Sequence, residues 1–205
     1  MLRKQGKLYY LDVDSNMKKK ALDFATTIIV TNNQYSRLLP ENIRRAENFN
    51  LKQKLEIQRT YVGKLGEIVF GEFLRCKGKF SDAKQMFEIY EGQTTVDEFD
   101  FETKDSYSVD VKSGFRKIHK RLLVNLEQFD RNPKDYYVAV WFNGKDSDEN
   151  NKLIDLNSIT TGIIHGYATY EDLSKKAEIK NFGEGDARSI FYNSLRSIDD
   201  LLDKF

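Results

Sequence analysis

The chain of 205 residues carries 33 Lys and Arg against 32 Asp and Glu, and 40% of its residues are hydrophobic. This length and composition predict one globular domain over residues 1–205 with a continuous core, and the single cysteine, Cys76, excludes an intramolecular disulfide. The charged start "MLRKQGK" lacks the apolar core of a signal peptide, and no apolar run approaches the roughly 18 to 20 residues that span a bilayer, so we expect a cytoplasmic protein with no membrane association.

The near-zero net charge conceals an alternation of charge along the chain. Residues 1–60 hold 12 basic and 6 acidic side chains, residues 61–110 hold 6 and 11, and residues 111–145 hold 8 and 3. An acidic stretch between two basic ones suits a site that holds a divalent cation while its flanks meet a polyanion. Charge blocks of this size also occur as ordinary solvated surface, so the pattern alone leaves both interpretations open.

The first 76 residues predict one strand and two helices. The segment "LYYLDVD" at 8–14 alternates as a strand does, Ser15 is a candidate cap for a helix through "MKKKALDFATTIIV", and Pro40 ends whatever precedes it. A second helix is predicted from about residue 51 to residue 76, where apolar residues recur at spacings of three and four and form a core-facing stripe. The stripe consists of Val62, Leu65, Val69, Phe73 and Cys76.

The other face of the second helix combines one carboxylate with two glycines. Gly63, Glu67 and Gly71 lie at i, i+4 and i+8, and each interior glycine costs about 1 kcal/mol of helix stability relative to alanine. A chain that tolerates this cost often needs close approach by a sheet or a ligand, which would bring Glu67 into a site. The alternative is a Glu67 that faces solvent on a weakened helix.

Three strands are predicted between residues 85 and 114. The segment "QMFEIYE" at 85–91 has β character, and the segments at 98–103 ("EFDFET") and 107–114 ("YSVDVKSG") alternate between apolar and polar residues. The connection "KDS" at 104–106 predicts a hairpin that makes the last two strands antiparallel neighbours. Gly114 is predicted to end the last of these strands.

The following residues predict a helix and two more strands. The segment "FRKIHKRLLVNLEQF" at 115–129 has an apolar spacing that favours a helix, although its "LLVN" part could extend otherwise. The run "YYVAVWF" at 136–142 is typical of a central strand buried on both faces, and "GIIHGYAT" at 162–169 predicts another strand.

Two further helices are predicted near the C-terminus. Thr169 and Asp172 have the spacing of a capping box for a short helix. Asp186 is predicted to open a final amphipathic helix that continues to Phe205. The chain as a whole is therefore predicted to be of mixed α and β class.

Two of these strands bring candidate catalytic groups together. Asp110 and Lys112 share a face because they are two residues apart, and the hairpin places Asp100 on the neighbouring strand, about 5 Å away. Two carboxylates can hold a hard cation such as magnesium, which lowers the pKa of a water and stabilises developing charge, while the lysine orients that water or neutralises the charge. This pattern predicts phosphodiester hydrolysis, with Glu67 completing the metal-ligand set or holding a second water.

A cluster of basic residues follows the strand that carries Asp110 and Lys112. Its members are Arg116, Lys117, Lys120 and Arg121. This position suits contacts with the phosphates that flank the cut, so these four residues are the predicted DNA-binding side chains. A solvated helix end is the alternative interpretation.

The three segments "GKLGEIVFGEFL", "DFETKDSYSVDVKSG" and "DYYVAVWF" together resemble the PD-(D/E)XK nuclease superfamily. The resemblance covers residues 61–142, about 80 residues, and implies an αβββαβ restriction-endonuclease-like core with a central mixed sheet flanked by helices. It implies that Asp100, Asp110 and Glu67 hold the metal and that Lys112 is catalytic. Asp97, which lies 13 residues before Asp110 where Asp100 lies 10 before it, is the rival for the first aspartate.

Within that superfamily the chain is most similar to type II restriction endonucleases. This likeness implies a magnesium-dependent enzyme, with manganese able to substitute, that cuts double-stranded DNA at a specific sequence as a homodimer. Two alternatives stay open. One is a repair, recombination or phage nuclease with the same core, and the other is a nucleic-acid-binding module that keeps the fold without cleaving.

Overall fold

A computed structural model describes residues 1–31, 48–79, 100–116, 118–150, 152–183 and 185–205. The helices are α1 (Ser15–Thr26), which a π-helix over Thr27–Thr31 continues, α2 (Phe49–Cys76), α3 (Leu126–Arg131), α4 (Tyr170–Lys176) and α5 (Ile198–Leu202). The strands are β1 (Leu2–Gln5), β2 (Leu8–Asp12), β3 (Phe101–Glu102), β4 (Ser108–Gly114), β5 (Arg121–Asn125), β6 (Tyr136–Phe142), β7 (Lys145–Asp148), β8 (Leu153–Asp155), β9 (Thr161–Thr169), β10 (Glu178–Asn181) and β11 (Asp186–Phe191).

The main sheet is mixed and mainly antiparallel. In the described part of the chain it has six strands in the order β1-β2-β9-β6-β4-β3. β4 and β6 run parallel, while the other neighbouring pairs of this sheet run antiparallel. Helices flank the sheet, so the predicted mixed α/β class with a mixed central sheet is confirmed.

β6 lies in the middle of this sheet, as the apolar run "YYVAVWF" predicts. Val138, Ala139 and Val140 are fully buried, and β6 pairs with β4 on one side and β9 on the other. A strand with a packed layer on each face has no solvent-facing side, which explains the absence of alternation in its sequence. The strand predicted at 162–169 is also confirmed, as β9.

α2 packs its apolar stripe on one face of the sheet. Val62, Leu65, Val69 and Phe73 are all buried, as predicted. Cys76 is exposed, so its place in the predicted stripe was wrong. Cys76 is the last residue of α2. It keeps the spacing of the stripe, but at this end of the helix that position no longer faces the core.

The close approach of α2 to the sheet occurs at Gly66, and not at Gly63 as the sequence pattern suggested. A Cβ atom at Gly66 would lie 1.9 Å from Ser113 Oγ and 3.6 Å from Val111 Cγ1, both on β4. A Cβ atom at Gly63 would meet nothing within 4 Å. The helix therefore touches β4 one residue before Glu67.

A smaller sheet with the strand order β10-β11-β5 covers the other face of the main sheet. Its residues Leu122, Val124 and Ile190 form one apolar cluster with Tyr137 and Ala139 of β6. Two predictions fail in this layer. The segment 115–129, predicted mainly as a helix, contains strand β5 followed by the short α3, so the extended alternative for "LLVN" is the correct one.

The predicted final helix from Asp186 to Phe205 was also wrong. The segment begins with β11, which pairs with both β10 and β5, and only Ile198–Leu202 forms the helix α5. In β11 the buried residues Ala187, Ser189 and Ile190 lie between the exposed ends Asp186 and Phe191. The apolar spacing of this segment also fits a helix, but pairing with the neighbouring β10 and the distant β5 favours the extended conformation.

The predicted N-terminal strand and helix are confirmed with small shifts of their bounds. The strand predicted at 8–14 is β2, and it pairs with β1, which the sequence did not predict. The helix cap is Asp14 and not Ser15, because the Asp14 side chain accepts a hydrogen bond of 2.8 Å from Met17 N. The capping box of Thr169 and Asp172 is confirmed at the start of α4.

The remaining sequence predictions lie outside the described residues. They are the strand at 85–91, the helix end at Pro40, Asp97 as the rival aspartate and Lys117 as a DNA contact. In the described part of the chain, no helix combines the length and apolar character that crossing a membrane requires.

Candidate active site

The hairpin of β3 and β4 brings the two candidate aspartates close together. Phe101 pairs with Val109 and Glu102 with Ser108. Before Phe101 the register shifts by one residue, because the backbone N–H of Asp100 donates to Val109 O at 3.1 Å. Asp100 therefore lies beside Val109, and its carboxyl group reaches the backbone N–H of Val111. The predicted hairpin is therefore confirmed.

The connection between the two strands is tight. Ser106 N donates to Thr103 O at 2.9 Å and Thr103 N donates to Tyr107 O at 3.0 Å. Ser106 adopts a φ of 61°, the left-handed conformation that closes many short hairpins. The short loop fixes the register and thereby fixes which residues face each other at the site.

The Asp100 carboxyl group is held inside the hairpin. Its Oδ2 atom accepts a hydrogen bond of 2.6 Å from Val111 N, on the strand opposite. Burial raises the pKa of this carboxyl group well above its usual range, and the nearby charges of Glu67 and Asp110 raise it further. The charges of Glu67 and Asp110 thus both act on the Asp100 carboxyl group.

Asp110 and Lys112 form an ion pair on one face of β4. Lys112 Nζ lies 2.6 Å from Asp110 Oδ2, and their side chains are 22% and 9% exposed. The contact does not have hydrogen-bond geometry, so Asp110 Oδ2 is a buried oxygen without a hydrogen bond in the described structure. Lys112 Nζ also donates to Gln128 Oε1 on α3 at 3.1 Å, which holds the ammonium group beside the aspartates.

Glu67 does not face open solvent. Its side chain is 15% exposed and forms an ion pair with Lys64, one turn earlier in α2. Among the neighbouring charges, that of Glu67 acts most strongly on the Asp100 carboxyl group, so Glu67 lies near Asp100. Sequence reasoning missed Lys64, although its spacing of three residues from Glu67 is that of a helical ion pair.

The carboxyl groups suit a hard divalent cation. Asp110 Oδ2 is a buried acceptor without a hydrogen bond, and the Asp100 carboxyl group lies among like charges that a cation would offset. In the described structure no three Asp, Glu, His or Cys side chains form a ready metal cluster. Magnesium commonly uses only one or two carboxylates and fills its other positions with water and substrate phosphate, so Asp100 and Asp110 fit this ion.

Because its pKa is raised, Asp100 is expected to destabilise the metal-free fold at neutral pH. The sign follows from linkage: the free energy of unfolding is highest while the carboxyl group is protonated, and falls as the pH rises through its raised pKa. Asp100→Asn should therefore unfold at a higher temperature than wild type at pH 8 in chelator, and the difference should shrink toward about pH 4. Thermal unfolding at several pH values checks this, with the exposed Asp105→Asn as control.

The predicted DNA-binding residues occupy different environments. Arg116 Nε lies 3.7 Å from Asp146 Oδ1, and the Arg116 carbonyl accepts from Trp141 Nε1 at 3.0 Å. Arg121 pairs with Glu178. Lys120 is exposed. The described members of the basic cluster thus include one exposed cation and two arginines with acidic partners within the chain.

The loop between β4 and β5 is held in place by His119. Its Nδ1 atom accepts the backbone N–H groups of Phe115 and Arg116, both at 3.4 Å. Burial lowers the pKa of His119 to about 4, so the ring is neutral at pH 7. His119 therefore shapes the loop that carries Arg116 and adds no charge to it.

Comparisons with known proteins identify no relative. The chain matches no protein-family model, no curated protein and no solved structure.

Proposed function

We propose that this protein is a magnesium-dependent nuclease that hydrolyses phosphodiester bonds of double-stranded DNA. The observation that carries the proposal is the placement of Asp100 against β4, where its carboxyl group accepts a hydrogen bond from Val111 N, next to Asp110 with Lys112 Nζ 2.6 Å away. The order of elements supports the same proposal. A long helix, an antiparallel hairpin and a parallel central strand are the arrangement that the PD-(D/E)XK resemblance implies, with the αβββαβ core as its complete form.

Each side chain has a distinct part in the proposed reaction. Asp100 and Asp110 would hold the cation, which lowers the pKa of a water and stabilises charge on the phosphate when it is bound. Lys112, held by Asp110 and Gln128, presents its ammonium group to the negative charge that develops as water adds to phosphorus and the bond to the leaving oxygen breaks. Glu67 adds a third carboxylate beside Asp100 to hold the metal or a second water.

The position of the basic cluster suits a DNA strand that runs along β4. Arg116 follows the end of β4. At about 3.3 Å per residue, Gly114 lies roughly 13 Å from Asp110 along the strand. That span corresponds to about four nucleotides at roughly 3.4 Å each. Arg116 would therefore contact a phosphate a few nucleotides from the cut rather than the scissile phosphate.

The specific form that we propose is a type II restriction endonuclease that acts as a homodimer, so that two sites cut the two strands of a palindrome. Digestion of several defined, unmethylated plasmids with magnesium tests this form. Discrete fragments are expected. Structure-selective nicking would instead indicate a repair, recombination or phage nuclease, and binding to DNA without cleavage in magnesium or manganese would contradict the enzyme proposal.

Glu67→Gln is expected to lower the cleavage rate by at least about tenfold, the usual cost of losing a ligand or a supporting contact at a metal site. The change keeps the shape of the side chain and a hydrogen-bond acceptor for Lys64 but removes the negative charge beside Asp100. The measurement is the initial rate of plasmid cleavage in magnesium.

Glu72→Gln is the matched control for Glu67→Gln. Glu72 lies five residues further along α2 and pairs with Arg75, so its loss should change the cleavage rate by less than about twofold, as surface ion pairs contribute little. A Glu67→Gln variant as active as wild type would remove Glu67 from the site and leave the roles of Asp110 and Lys112 unaffected.

A further inference from the structure

Lys64 is a buried lysine of α2 to which the proposed reaction assigns no role. Its side chain is only 5% exposed, and its Nζ atom lies 2.5 Å from Glu67 Oε2. The ammonium group also lies 4.3 Å from the centre of the Phe24 ring of α1. Burial of an ammonium group is costly unless an opposite charge or an aromatic face compensates it, and Lys64 has both.

The pair of Lys64 and Glu67 lies where α2 meets the strand that carries the proposed catalytic residues. Gly66, between them in sequence, is the point at which α2 packs directly against Val111 and Ser113 of β4. The backbone N–H of Val111 donates to Asp100. Glu67 therefore lies one residue from the contact between α2 and β4, and its charge acts on the Asp100 carboxyl group.

We propose that Lys64 is a positioning residue that holds the Glu67 carboxylate beside Asp100 and offsets its charge, an inference that rests on the nuclease function proposed above. The site would then contain two matched pairs, Lys64 with Glu67 and Lys112 with Asp110. Lys64 acts through Glu67, and its ammonium group lies between α1 and α2, away from the scissile phosphate.

Lys64→Met tests this role because it should move two measurements in opposite directions. Without Lys64 the Glu67 carboxylate stays near Asp100 but is no longer held in the orientation that positions a water, so the kcat for plasmid cleavage should fall at least about tenfold with KM changed by less than about threefold. The site also gains one net negative charge, so Mn2+ alone should bind more tightly, by at least about threefold in titration calorimetry. A purely structural role would weaken cleavage and Mn2+ binding together, and that result would overturn the proposal.

The double variant Lys64→Met with Glu67→Gln separates positioning from other effects. If Lys64 acts through Glu67, the double variant should cleave no more slowly than Glu67→Gln alone, and its Mn2+ affinity should return to that of wild type because both charges are gone. Multiplied losses of activity in the double variant would contradict the proposal. The double variant removes both charges of this ion pair together, so its fold is expected to persist even where Lys64→Met alone unfolds.

Two further variants complete the design. Lys64→Gln keeps a hydrogen-bond donor for Glu67 while removing the positive charge, so it should lose less activity than Lys64→Met and still bind Mn2+ more tightly. Arg75→Met removes the cation of another ion pair of α2 with a spacing of three residues, that with Glu72, and should change neither measurement. If Lys64→Met cleaves DNA as fast as wild type, the proposal for Lys64 is overturned. If the wild-type protein itself cleaves no DNA, the nuclease function is overturned, and Mn2+ binding remains as the test of Lys64.

Discussion

Asp110→Asn is expected to abolish DNA cleavage, by at least about 1,000-fold, the order of loss seen when a group that stabilises transition-state charge is removed. Asp110 is 7% exposed and presents a buried oxygen without a hydrogen bond beside Lys112. The asparagine has nearly the same shape but no charge with which to hold a cation. The rate of plasmid cleavage in magnesium measures the loss.

Lys112→Ala should abolish cleavage to a similar extent, and both variants should keep their fold and their affinity for DNA. Lys112 is partly exposed, and its removal leaves the packing of β4 on its buried face unchanged. Gel-shift binding in calcium and thermal unfolding check these two expectations. The control is Asp105→Asn in the hairpin turn, which should cleave as wild type does. Wild-type turnover by Asp110→Asn or Lys112→Ala would refute the assignment of these residues to the catalytic site.

The hairpin could be predicted because the information that specifies it is local. Alternation over residues 107–114 determines which side chains share a face, and a three-residue turn determines the register that brings Asp100 close to β4. The central strand could be predicted for the same reason, since a continuous apolar run bounded by polar residues excludes a half-exposed strand. These are the elements that carry the proposed catalytic residues.

The two helices that were predicted wrongly show what local pattern cannot determine. In residues 115–129 the apolar spacing fits a helix, yet Ile118, one of the apolar residues at that spacing, is 77% exposed. Leu122 and Val124 are instead buried on β5, which pairs with β11. β11 itself lies in the segment predicted as the final helix. Each of these strands becomes favourable only when the other is present, and that dependence spans more than 60 residues of sequence.

The environment of Glu67 was only partly predictable. The sequence indicated a carboxylate on the glycine-containing face of α2, but the close contact is made by Gly66 rather than Gly63. The burial of Lys64 depends on Phe24, which belongs to a different helix. A helical ion-pair spacing is common on exposed surfaces, and only the packing of α1 against α2 turns this one into a buried pair next to Asp100.

Cleavage is expected to require magnesium or manganese and to disappear in excess chelator, because two carboxylates and a lysine cannot by themselves produce a sufficiently reactive water at neutral pH. Calcium should support DNA binding with little cleavage, since its larger and looser coordination shell positions the attacking water poorly. Initial rates in each metal and gel-shift binding in calcium distinguish the two effects. Asp110→Asn serves as the control, because it should lose the stimulation by magnesium. Cleavage that continues undiminished in chelator would rule out the metal-dependent mechanism and with it the role given to Asp100 and Asp110.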